Sequence, residues 1–89
     1  MAQLGGKWTL LLIHGLRDGR LRFAELRRRT PGISDKMLTQ ELRRLGDNGL
    51  VARHDYAEIP PRVDYRLTDA GRRGLAVVEA LAAFGLKTT

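Results

Sequence analysis

Lys36, Thr39, Gln40 and Arg43 recur at i, i+3, i+4 and i+7, the spacing that gathers side chains on one face of an α-helix. Their chemistry suits the edges of nucleic-acid bases. Glutamine pairs with adenine through two hydrogen bonds, arginine or lysine pairs with guanine, and a threonine methyl packs on that of thymine. Gln40 and Arg43 are expected to read bases, with Lys36 and Thr39 divided between bases and phosphates. Met37 adds an apolar contact at the edge of this face, and Arg44 a further cation beside it. Ser34, just upstream, is a good helix N-cap. With the neighbouring backbone N–H groups it can also hold a phosphate. A merely solvated helix face has similar composition, so the pattern gains meaning only from the scaffold around it.

Other chemistries find little support. The sequence contains no cysteine, which removes disulfides, thiolate zinc sites and thiol redox sensing from the residues present. His14 and His54 are far apart and lack a carboxylate cluster at metal-ligand spacing. No paired carboxylates stand at a useful distance, and no base accompanies Ser34. Gly5-Gly6-Lys7 lacks the upstream strand and glycine of a phosphate loop. No catalytic residue, metal or cofactor is expected. No apolar run approaches the ~20 residues of a membrane span, and the N-terminus lacks a signal-peptide pattern. The expectation is a soluble cytoplasmic protein with no membrane partner.

Charge agrees with a polyanionic partner. Lys plus Arg number 16 against 10 Asp plus Glu, giving a net charge of +6 and a pI near 10.8. Such a balance attracts nucleic acid or an anionic surface, although arginine richness also follows from a GC-rich genome.

The elements that must position these residues fit one domain over 1–89. Trp8, Leu11, Leu12 and Leu16 mark one face of a first helix over residues 6–17, with Leu10 and Ile13 on the other side. That helix is therefore expected to be buried nearly all round, and His14 to be a hydrogen-bonded interior residue. Asp18-Gly19 ends it. Leu21-Arg22-Phe23 is either a very short strand or the entry to a second helix over Phe23–Arg29. Thr30-Pro31-Gly32 stops that helix. Leu38, Leu42 and Leu45 form the apolar stripe of a third helix, from Asp35 to Asp47, which Asn48-Gly49 closes. Residues 50–56 have strand composition, and 63–67 alternate Val63, Tyr65 and Leu67 with Asp64 and Arg66. They predict a hairpin around a Pro60-Pro61 loop, with Arg53 on the first strand and Arg62 near the tip. Thr68 caps a last helix running to Phe84.

Helix, helix, tight turn, helix, hairpin, helix is the order of a winged helix-turn-helix. It is a mainly α fold with a small β-hairpin: a three-helix core, a two-stranded wing and a C-terminal dimerisation helix. The helix-turn-helix spans about 22–48, the wing about 50–67 and the last helix about 68–85. The first helix of the unit normally crosses the DNA backbone, so one or two phosphate contacts are expected among Arg20, Arg22, Arg27, Arg28 and Arg29. Arg62 is expected on the backbone or in the minor groove. The last helix carries two apolar stripes, Leu75, Val78 and Ala82, and Val77, Leu81 and Phe84. One small core needs only one of them. A homodimer through Leu75, Val77, Val78, Leu81 and Phe84 follows, and its two-fold axis would match a palindromic double-stranded DNA operator.

GKWTLLLIHGL at 6–16, RFAELRR at 22–28, GISDKMLTQELRRL at 32–45, GLVAR at 49–53, PPRVDYRLTDAGR at 60–72 and LAAFG at 81–85 together resemble the HxlR family of winged-helix regulators. The resemblance covers nearly the whole chain. It implies a cytoplasmic, dimeric, DNA-binding transcriptional regulator whose dimers form through the terminal helices. Some members of that family sense aldehydes, quinones or thiol oxidants, in part through a cysteine upstream of GKWT. This sequence begins a few residues before GKWT and has no cysteine, so cysteine-based sensing is not expected, and nothing identifies a small-molecule effector. A winged helix that binds protein instead of DNA fits the basic third helix less well. An RNA-binding role lacks stacking aromatics, and an enzyme is least in keeping with the sequence.

Overall fold

The computed structural model describes residues 7–84. Its elements run α1 (Lys7–Gly15), β1 (Leu21–Arg22), α2 (Phe23–Arg28), α3 (Asp35–Asp47), β2 (Val51–Asp55), β3 (Val63–Leu67) and α4 (Asp69–Ala83). Local chemistry fixes both ends of α3. Ser34 Oγ accepts the Met37 N–H at 3.1 Å. At the other end Gly49 adopts φ +75°, Leu50 N–H donates to Leu45 O, and Gly49 N–H donates to Gly46 O. This double closure is the Schellman motif, which needs a residue tolerant of positive φ.

The sheet is antiparallel in the order β1-β3-β2, so the wing gains a third strand that the hairpin pattern alone does not reveal. Both readings of Leu21-Arg22-Phe23 hold in part. The first two residues pair with Tyr65 and Asp64 of β3, and Phe23 opens α2. In β2 and β3, Val51 faces Leu67, Arg53 faces Tyr65 and His54 faces Asp64.

The core joins Leu12 and Ile13 of α1, and Leu16 just after it, to Leu26, Ile33, Leu38, Leu42 and Leu45, and to Val51, Leu67 and Leu75. The first helix differs from expectation. Its buried face is Thr9, Leu12 and Ile13, continued by Leu16 in the turn that follows, while Leu11 and His14 are exposed. His14 is therefore no interior histidine; its Nδ1 lies 3.3 Å from Arg17 Nη1 at the surface. Ile13 belongs to the core side, because the core reaches only one flank of a helix that is apolar on several.

The end of β3 and the start of α4 meet the turn after α3 at close range. Thr68 N–H donates to Leu50 O at 3.1 Å, and Thr68 Oγ1 donates to Gly49 O at 2.5 Å. The same hydroxyl accepts Gly71 N–H at 3.1 Å. A Cβ on Gly71 would stand 2.1 Å from Leu50 O, so only glycine fits this position.

Candidate nucleic-acid interface

The apolar stripe Leu38, Leu42 and Leu45 is buried, which fixes the rotation of α3. Lys36, Met37, Thr39, Gln40 and Arg43 are thereby turned to solvent, with Ser34 exposed at the helix start. The Ser34 hydroxyl is engaged as the cap. Asp35 in the first turn is held by Arg27, Nη1 to Oδ1, at 2.7 Å, so the segment entering α3 is pinned to α2.

Arg44 stands apart from that group. Its Nη2 donates to Thr9 Oγ1 and to Glu41 Oε1, each at 2.6 Å. It turns towards α1 and ties α3 to the body. Adjacency in sequence suggested a cation beside the reading face, but a step of ~100° around the helix separates Arg44 from Arg43.

Between α3 and the sheet lies a groove of about 430 Å³, lined by Thr39, Leu42, Arg43, Asp47, Arg53 and Tyr65 among others. Leu42 and Val51 form its buried floor. Arg43 and Arg53 face it from opposite sides, and neither side chain makes an ion pair or hydrogen bond among the described residues.

The wing loop holds Arg62 back from the tip. Tyr56 N–H donates to Arg62 O at 3.0 Å, closing the loop below residues 57–61. The Arg62 guanidinium stacks 4.1 Å above the Tyr56 ring and lies 3.8 Å from Asp64. The tip itself presents Glu58, Ile59 and the two prolines, with Ile59 99% exposed and the Ile59–Pro60 bond cis.

Asp64 is the residue that sequence reasoning missed. Alternation turned it to solvent, yet it is 4% exposed. Tyr56 OH donates to its Oδ2 at 2.7 Å, and Arg20 reaches the same oxygen at 4.0 Å while donating to Tyr56 OH at 2.6 Å. The available signal was a lone carboxylate among arginines in a β-strand.

Of the basic run, Arg29 bonds Gly15 O at 3.0 Å and lies 3.8 Å from Asp18. Arg28 is exposed without an ion pair among the described residues. On α4, Leu75 packs into the chain's own core and Val78 is half-buried. Val77, Leu81 and Phe84 are 59%, 42% and 84% exposed, and Leu11 of the neighbouring α1 is exposed as well. The two stripes thus separate in part: Leu75 and Val78 serve this chain's core, Ala82 at the end of the same stripe is exposed, and the second stripe is exposed throughout.

A family model described as HxlR-like helix-turn-helix matches residues 3–89. A protein of Methanothermobacter thermautotrophicus, described as an uncharacterized HTH-type transcriptional regulator, is 46% identical over 83 residues. The alignment covers 93% of this chain, which spans 63% of that relative's length. A crystal structure from Porphyromonas gingivalis W83, described as a transcriptional regulator of the MarR family, superposes with a TM-score of 0.85 at 44% identity. It covers 96% of this chain and 83% of its own. The reduced form of the transcriptional regulator YodB from Bacillus subtilis superposes with a TM-score of 0.81 at 40% identity, covering 90% of this chain and 78% of its own. The likeness is to regulators and not to enzymes.

Proposed function

The chain belongs to the HxlR-like helix-turn-helix family, and from that membership we propose that it binds double-stranded DNA sequence-specifically as a homodimeric transcriptional regulator. In this reading α3 enters the major groove, Gln40 and Arg43 pair with base edges, and Lys36, Thr39 and Met37 complete the contact. Ser34 and its neighbouring N–H groups approach a phosphate, and Arg44 contributes by holding α3 in place. The wing, with Arg53 facing Arg43 across the groove, lies on the flanking backbone or minor groove. The observation that carries the reading is the sorting of α3: every leucine of its stripe is buried, and Lys36, Met37, Thr39, Gln40 and Arg43 are all exposed.

The uncovered stripe of α4 supports the dimer. Val77, Leu81 and Phe84 are large apolar side chains left exposed by their own chain, and a second copy docking there would need to bury ~1,000 Å² or more in total to be stable. Two-fold symmetry then sets two α3 helices on half-sites about one helical turn apart, hence a palindromic operator. Leu75, committed to the core, takes part only by shaping the helix. A protein of this role works where the chromosome is, in the cytoplasm. None of its helices among the described residues is long and apolar enough to cross a membrane.

The test is fluorescence anisotropy with duplex from upstream of the gene, titrated with salt, for the natural protein and a Gln40→Ala/Arg43→Ala variant. Specific binding that the variant loses supports DNA reading. Equal weak binding by both would leave a basic fold and favour a protein partner.

A further inference from the structure

The three-stranded sheet has two faces of different character. One carries Val51 and Leu67 into the core, and Arg53 and Tyr65 into the groove beside α3. Directly opposed residues of antiparallel strands share a face, so the other face is set by the register. Arg22 of β1, Asp64 of β3 and His54 of β2 form one rung, and Arg66 and Ala52 form the next on that side.

Arg20 and Arg62 fold over Asp64 from the flanking segments, at 4.0 and 3.8 Å. This outer face therefore gathers Arg20, Arg22, Arg62 and Arg66 around one carboxylate that is itself buried. Arg22 and Arg66 are exposed and have no ion pair among the described residues. The nearby Glu25 is engaged as a cap on the Arg22 backbone N–H at 2.8 Å. Asp55, on the opposite face, caps Ala57 N–H at 2.8 Å.

The arrangement does more than collect charge. Asp64 and the Tyr56 ring fix the plane of the Arg62 guanidinium, and Arg62 Nε is buried without a hydrogen-bond partner. Strands lie ~4.8 Å apart and same-face residues of one strand roughly 7 Å, so Arg22 and Arg66 sit within one or two such spacings of Asp64 on this face. Such density would be repulsive if the single buried carboxylate were its only compensation. A row of phosphodiesters supplies the missing charge, and guanidinium matches it geometrically.

We propose that the outer face of the wing sheet is a second DNA-contact surface, on which Arg20, Arg22, Arg62 and Arg66 engage phosphodiesters of duplex beyond the base pairs that α3 addresses. This rests on the DNA-binding function above and adds to it a face of the sheet turned away from α3 and from the Arg43–Arg53 groove. Contacts on this face add affinity without sequence preference and favour duplex that curves around the wing.

The experiment uses the site that the wild-type protein selects from random-sequence duplex. One duplex is trimmed to the selected base pairs, and a second adds about one helical turn (roughly 10 base pairs) of arbitrary sequence on each side. Anisotropy titrations across salt compare the wild type with Arg22→Ala/Arg66→Ala, whose side chains have no ion pair to lose. The wild type is expected to bind the long duplex on the order of tenfold more tightly than the short one, since phosphate contacts dominate affinity. The variant should lose that advantage, keep the base preference, and show a salt slope smaller by about 0.9 per lost phosphate contact. Arg22→Lys/Arg66→Lys, which keeps the charge, should restore most of the slope. A variant that retains the long-duplex advantage and slope overturns the proposal. So does one that weakens both duplexes equally, because its arginines then belong to the central site. If the wild type selects no sequence, base reading fails, and the two salt slopes on the long arbitrary duplex still decide the outer face.

Discussion

Arg44 Nη2 donates to Thr9 Oγ1 at 2.6 Å, joining α3 to α1 across 35 residues of sequence. The neighbouring Arg43 faces the groove and solvent. Two adjacent arginines of one helix thus face different tasks, and their substitutions should separate cleanly.

Arg44→Ala is expected to lower stability by about 1–2 kcal/mol. It removes a charge-assisted hydrogen bond and leaves the Thr9 hydroxyl and Glu41 with only the long 3.5 Å bond that Thr9 donates to Glu41, and partial exposure of the pair limits the effect. Base preference, measured per folded protein, should survive. Chemical denaturation alongside DNA titration reads both quantities; an unchanged midpoint would show that the Arg44–Thr9 tie contributes nothing.

Arg43→Ala should do the reverse. Its melting temperature should stay near that of the natural protein, since the side chain has no partner within the chain among the described residues. Affinity for the preferred duplex should fall by about 1–3 kcal/mol, with relaxed preference at one base pair. Competition with single-base variants of the site checks this, and an unchanged preference removes Arg43 from the reading set.

Gly71→Ala should destabilise the fold by about 3 kcal/mol. The new methyl would meet the Leu50 carbonyl at 2.1 Å, and a backbone obstacle yields less readily than a side chain. A fall in the denaturation midpoint at constant slope is the expected signature. A neutral result would mean that the close approach relaxes freely.

Val77→Asp/Leu81→Glu should convert the proposed dimer to monomer while leaving the helical signal intact, because both side chains are exposed on the single chain. Leu75→Ala, in contrast, should cost about 2–5 kcal/mol of folding stability. Sedimentation at tens of micromolar distinguishes them. A dimer that survives both charges would have to form through another face.

Where signals are local, the sequence speaks clearly. Asp35 and Asp47 bound α3 as expected, because Ser34 and Gly49 carry their capping chemistry in their own side chain or lack of one. The stripe of α3 is equally legible, since leucines and polar residues alternate at helical period. The face of α1 is not: a helix with apolar residues on several sides does not say which of them meets the core, so Leu11 and His14 lie at the surface where burial nearly all round is expected. Arg44, Arg62 and Asp64 escaped for a different reason. Their roles depend on partners at Thr9, Tyr56 and Arg20 that only the fold brings near, and exposed-looking spacing gives no hint of them. The two-residue β1 is too short to have a period at all.

The Thr68–Gly49–Leu50–Gly71 junction makes the turn after α3 and the beginning of α4 one rigid joint, with the Leu50 backbone against Gly71 and the Thr68 hydroxyl bonded to both sides. In the proposed dimer, held through α4, that joint would act as the arm of a caliper. The angle at which the two α4 helices cross sets the gap between the two α3 helices, and a tilt of a few degrees at one end becomes a displacement at the other. Operator spacing is then gauged far from the DNA, by residues that never touch it.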